Sequence, residues 1–277
     1  MSRKNKTNQR FGWLELFGPS AVLVIIVLVL GTVAISGAFP AEQPSEPTAE
    51  GILDAYIEAT GGLEAYNKIQ NRVVETEMVI EGAGITLTGT VVAARPNLTY
   101  TRFHADMIGT METGTDGTVV WEKNAMSGPQ LVEGVQREFT LREGRLDKLA
   151  YWREVYTGGV ELDGTGEVEG TECHKVVLKA GSGQPLTLYF DPESHLMVRQ
   201  DITVETKMGA VPLESYISDY REVDGILLPF KVRVAVAGQT RVMTNTSMKH
   251  NVDLPADRFA VPEDVLALMA PAEPEAE

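Results

Sequence analysis

The chain has 277 residues and a formal net charge of −15, and residues 40–277 alone carry 20 Lys and Arg against 38 Asp and Glu. That surplus repels nucleic acid and anionic headgroups. A hydrophobic content of 43% excludes bulk disorder, and the single cysteine, Cys173, excludes an internal disulfide.

Residues 19–39 form an uncharged apolar run with AVLVIIVLVLGTVAISGAF at its heart, preceded by Arg3, Lys4, Lys6 and Arg10. Roughly 20 residues at about 1.5 Å rise span a hydrocarbon core of roughly 30 Å. The run is expected to be a single transmembrane anchor at the inner membrane, with residues 1–18 as a basic cytoplasmic N-terminus and interface. The domain that follows then sits in the periplasm. The alternative is a secretory signal cleaved after Ala38, with Ser36 and Ala38 as the small pair, which would leave a soluble periplasmic protein. The run is longer than a usual signal core, which favours the anchor. No cysteine lies near the end of the run, which rules out a lipidated N-terminus.

Residues 40–50, with PAEQPSEPTAE, read as a flexible spacer. Ile52, Leu53, Tyr56 and Ile57 recur at helical spacing, then Leu63, Tyr66 and Ile69, with Gly61 and Gly62 between; two short helices are expected over 49–59 and 62–69. From Val73 the period becomes two. VVETEMVIEG and ITLTGTVVAARP form a hairpin closed by Gly82-Ala83-Gly84, followed by strands in NLTYTRF, DMIGTMETGT and GTVVWEK. Val135, Phe139, Leu141, Leu146, Leu149 and Trp152 break that period, so one or two helices are expected between about 133 and 156. Seven further strand patterns run from VELDGTGEVEG to TRVMTNTSMKHNV. The fold expected is mainly β: one large curved antiparallel sheet over residues 51–265 with a few short helices covering its concave face, preceded by the transmembrane helix. Residues 266–277 read as an acidic disordered tail.

Catalytic signatures are missing from the pattern. His104, His174, His195 and His250 fall in separate segments without metal-ligand spacing, and Asp163, Glu167 and Glu169 read as a solvated strand face. No catalytic residue, metal or cofactor is expected, and the protein reads as a non-enzyme. In 85–93, Ile85, Leu87, Val91 and Ala93 share one face, as do Val74, Met78 and Ile80 in the preceding strand. A curved sheet capped by helices has an inner side that either its own side chains or a ligand must fill.

Several segments together resemble the LolA-like superfamily of outer-membrane lipoprotein-sorting and carrier proteins. They are ILDAYIEATGGLEAYNKI, TDGTVVWE (115–122), LTLYFDPESHLMVRQD (186–201), SDYREVDGILLPFKVRV (218–234) and RFAVP (258–262). The resemblance implies a half-barrel sheet with helices across its mouth and an interior that holds acyl chains. It also implies that Arg102 helps hold the lid shut. On this reading Leu87, Val91, Tyr100, Met107, Met111 and Trp121 line the interior, while Leu146, Leu149 and Trp152 belong to the lid. The function expected is an inner-membrane-anchored, periplasm-facing module that binds lipid or lipoprotein acyl chains and assists their transfer or sorting. The alternative is a non-catalytic domain with a self-filled core that docks an envelope protein partner.

Overall fold

The computed structural model describes residues 46–181, 183–206, 209–236 and 238–269. The expected spanning run at 19–39 and most of the spacer lie outside them. Among the described residues no helix is long and apolar enough to cross a membrane.

Helix α1 (Ala49–Ala59) starts where Thr48 Oγ1 accepts the Gly51 N–H at 3.1 Å, and it buries the stripe Ile52, Leu53, Tyr56 and Ile57. The chain then turns at Gly61, whose φ of 127° suits glycine. A Cβ there would stand 2.3 Å from the Gly225 carbonyl oxygen, so the turn abuts the sheet backbone. Helix α2 (Gly62–Asn67) follows at once and buries Tyr66.

Among the described residues thirteen strands form one antiparallel sheet. Six come first: β1 (Asn71–Ile80), β2 (Ile85–Ala94), β3 (Leu98–Ala105), β4 (Gly109–Thr115), β5 (Val120–Asn124) and β6 (Gly128–Val132). Seven follow the helical linker: β7 (Val160–Val168), β8 (Thr171–Leu178), β9 (Leu186–Phe190), β10 (Met197–Thr206), β11 (Gly209–Val223), β12 (Ile226–Val236) and β13 (Gln239–His250). Each group is a meander, and the pairing of β1 with β13 fuses the two, leaving β6 and β7 as the edges. Between those edges the chain crosses by α3 (Gly134–Glu143) and α4 (Trp152–Val155).

The helices and strands expected within the described residues are present, and two departures have physical causes. Strand β6 was not expected, because GPQLV opens with two turn-forming residues and pairs on one side only. Residues 266–269, expected to begin the acidic tail, are instead helical, in α5 (Glu263–Leu266) and a 3-10 turn (Ala267–Met269), while 270–277 lie outside the described residues. Val265 is fully buried there, and Asp264 pairs with Lys123 of β5 at 2.6 Å.

The two sheet faces follow from the register. The inner face is the one under the helices. On β7–β12 it contributes Val176, Leu178, Leu186, Leu188, Phe190, Ile202 and Ile217 to a core with Leu53, Tyr56 and Ile57 of α1. Tyr56 meets Phe190 edge-on, with ring centroids 5.5 Å apart.

Candidate functional site: an open apolar inner face beside a pinned helical plug

The sheet continues its inner face onto β13 and β1–β4, away from the main packing of α1, α2 and α3, which is against β7, β8, β12 and β5. Cross-strand partners place Ile217, Val232, Met243, Met78 and Leu87 in one row from β11 to β2. Adjoining this row, Phe103 of β3 stands opposite Gly89 and Met111. The Phe103 ring lies on the glycine: a Cβ on Gly89 would be 2.4 Å from it. Leu87 is 2% exposed, but Met78, Ile80, Val91, Phe103, Met111 and Met243 are only half-buried. The surface they make is apolar, and methionine side chains adapt to irregular hydrocarbon shapes.

Beside this surface the helical linker is pinned by charge. Arg72 of β1, on the inner face, donates from Nη2 to Asp147 Oδ1 at 2.7 Å. The Asp147 side chain is 2% exposed, and its φ of 54° is a left-handed conformation that aspartate tolerates. Arg95, just past β2, donates to the carbonyls of Ile69 (2.7 Å) and Tyr66 (3.1 Å) and to the Tyr151 hydroxyl (2.9 Å). Its Nη2 stands 3.8 Å from Asp147 Oδ2. Two arginines thus bind the linker to α2 and to the sheet. A cleft of about 210 Å³ opens here between Tyr56, Tyr66, Arg72, Asp147 and Leu228.

Arg72 also donates from Nε to His250 Nε2 at 2.8 Å, while His250 Nδ1 lies 3.1 Å from Asp224 Oδ2. That network assigns the ring proton to Nδ1. Burial, and then the Arg72 guanidinium, hold the His250 imidazole below its ordinary value, in its neutral form. Burial pushes the Tyr66 hydroxyl up to about 12, and it serves as a neutral donor to Thr60 Oγ1 at 2.8 Å. At the α3 corner, burial works against the Glu143 carboxylate, but Lys148 and Arg142 outweigh it and hold the group below its usual range.

The ten residues singled out from the sequence separate into four places. Leu87, Val91 and Met111 share the open inner face. Tyr100, Arg102 and Trp121 lie on the other side of the sheet, because they pair with Val92, Thr90 and Gly114, whose side of the strand is opposite. There the Trp121 indole covers Gly114, and Arg258 stands 5.5 Å over the Tyr100 ring. Tyr100 donates to Glu112 Oε1 at 2.5 Å. Burial and that carboxylate push its hydroxyl up to about 12. Met107 sits in the β3–β4 turn, 85% exposed. Leu146, Leu149 and Trp152 are buried with α1 in the core, as parts of the plug. The lid contact that the resemblance gave to Arg102 is therefore made by Arg72 and Arg95, since Arg102 is exposed on the outer face. Among the described residues no group of three or more His, Cys, Asp or Glu is arranged to hold a metal ion.

Sequence reasoning missed Arg72, Arg95, Asp147 and His250, whose partners are distant in the chain. It also missed Phe103 and Met243. Met78 was visible through its face-sharing with Val74 and Ile80, and pairing β2 with β3 would have exposed the Gly89–Phe103 stack.

No protein-family model matches the sequence, and no curated protein matches it either. Solved structures do. A LolA superfamily protein from Nitrosomonas europaea superposes with a TM-score of 0.52 at 15% identity, covering 78% of this chain and 99% of the other. A DUF1329 family protein from Desulfovibrio piger gives 0.51 at 15% identity, covering 76% and 96%. A Vibrio parahaemolyticus domain assigned to outer-membrane lipoprotein sorting gives 0.50 at 10% identity, covering 76% and 97%. The chain has a LolA-like fold.

Proposed function

We propose that this domain is a non-enzymatic lipid- or lipoprotein-binding module that holds acyl chains on the inner face of β13 and β1–β4 and assists their transfer or sorting. The observation that carries the reading is the pair Met243–Met78 with Val91, Phe103 and Met111 beside it, an apolar surface that the helices leave only half-buried, with Leu87 as its buried floor. Burying hydrocarbon there stabilises a complex by about 25 cal/mol per Å² and needs no charged contact along the chain. The neighbour assigned to lipoprotein sorting has the same fold, which agrees with this use of the surface. In the same proposal, residues 19–39 anchor the protein in the inner membrane and place the domain in the periplasm. With α1 starting at Ala49, a spacer of residues 40–48 reaches at most about 32 Å, so the module receives or hands over its ligand near that membrane rather than shuttling across the envelope.

The test is native mass spectrometry with lipid extraction on the full chain, purified from a membrane-containing host. Lipid or lipoprotein at a defined stoichiometry is expected, and Met243→Glu is expected to abolish it without changing the circular dichroism spectrum. Met243 is the better probe because Leu87 is almost fully buried, and a carboxylate there would disturb folding itself. An apo mass that stays unchanged on incubation with lipid would overturn the proposal and turn attention to a protein partner in the envelope.

A further inference from the structure

We infer that the ligand of this surface carries an oxyanion head, a carboxylate or phosphate, which pairs with Arg241. The inference rests on the acyl-binding reading and names the head group which that reading leaves open. Arg241 lies on β13, directly opposite Ile80 of β1 and Val234 of β12. Its place two residues from Met243 sets it on the inner face, at the hairpin end of the apolar row.

Among the described residues Arg145, Arg241 and Arg258 each have a buried Nε without a hydrogen-bond partner; Arg145 still pairs with Glu154 and Arg258 stands over the Tyr100 ring, while Arg241 has neither kind of contact. Arg72, Arg95, Arg153, Arg199, Arg221 and Arg233 each stand within reach of a carboxylate. Arg241 is half-buried, and its Nε is buried with no hydrogen-bond partner. Its cross-strand neighbours are aliphatic. Glu81, one residue beyond Ile80, gives the Arg241 Nε no hydrogen bond. In a domain with such a surplus of acid, a guanidinium that meets no carboxylate among the described residues, on an otherwise apolar surface, is a donor kept for something else.

The chemistry of the group says what. A guanidinium is a planar fork of donors that matches carboxylate and phosphate oxygens, and a buried donor without a partner is costly. The protein's overall charge repels anions at long range, but that field is screened within about 10 Å, while contact with Arg241 is short-range. Beyond the head, β1 presents Ile80, Met78 and Val74 on the inner face, roughly 20 Å of strand at about 3.3 Å per residue. That is room for a long acyl chain lying along the strand with its head at Arg241.

The test uses the full chain in phosphatidylcholine nanodiscs with two photo-reactive probes, a diazirine palmitate and the matching palmityl alcohol, with adducts mapped by mass spectrometry. Palmitate is expected to label the inner face about tenfold more than the alcohol, the size of one charge-assisted hydrogen-bonded pair. Arg241→Gln should bring the two probes to near equality and leave alcohol labelling unchanged, which also shows that the variant folds. Arg241→Lys should keep most of the preference. Inorganic phosphate in excess should not displace palmitate, because it lacks the chain. Equal labelling of wild type by both probes, a preference that survives Arg241→Gln, or displacement by inorganic phosphate alone would each overturn the head-group assignment. Absence of inner-face labelling by either probe would instead bring down the acyl-binding reading beneath it.

Discussion

The inner face over β7–β10 and the inner face over β13 and β1–β4 use similar residue types and reach different states. On the first, Val176, Leu188 and Phe190 are fully buried under α1 and the linker. On the second, Met78, Phe103, Met111 and Met243 are half-exposed. The difference lies in what covers them. Helix α1 packs on β7 and β8, the linker is drawn to the same side by Leu146, Leu149 and Trp152, and Asp147 stops it beside Arg72 and Arg95. A sheet of thirteen strands is wider than its helical layer, and the uncovered part is where a ligand fits.

If the two halves differ as described, equivalent truncations should have unequal costs. Phe190→Ala on the covered half is expected to destabilise the domain by about 3–5 kcal/mol, read by denaturant unfolding. Breaking the pin should come next: Asp147→Ala leaves Arg72 partly buried without its carboxylate, and amide exchange across 144–152 should speed up by an amount equal to about 2–3 kcal/mol, less than for a fully buried pair because Arg72 retains some solvent. Met78→Ala on the open half should cost less than about 1.5 kcal/mol in the lipid-free protein, since its side chain is only partly buried, while weakening lipid retention. A Met78 cost equal to that of Phe190 would erase the distinction between the halves.

The smallest expected effect is on pH. The folded-state value of His250 is depressed, so its contribution is complete above the unfolded value of about 6.5 and is lost as pH falls through the folded value. Protonating Nε2 would remove the acceptor for Arg72 and set two cations together, beside Asp224 and Asp147. Stability measured between pH 7 and pH 5 should decline accordingly, and His250→Gln should flatten part of that slope. An unchanged slope in the variant would remove His250 from the pin.

Much of the architecture was readable from periodicity, because helix and strand periods are local properties. The break at Val135–Trp152 announced the linker, and Ile85, Leu87, Val91 and Ala93 announced the apolar face. The site was less legible. Tyr100, Arg102 and Trp121 alternate correctly within their strands, but which side faces inward depends on pairing with β2 and β4, and that register is not local. The pin joins Arg72 to Asp147, 75 residues apart, with nothing in either neighbourhood to match them.

One measurement tests the division of the sheet most directly: a photo-reactive benzoylphenylalanine placed at Met243, on the open inner face, or at its neighbour Val242, on the other side of the same strand, in cells making the full chain. Lipid or lipoprotein adducts from position 243 and none from 242 are the predicted result. Adducts from 242 alone, or from neither position, would contradict the assignment of this face as the binding surface.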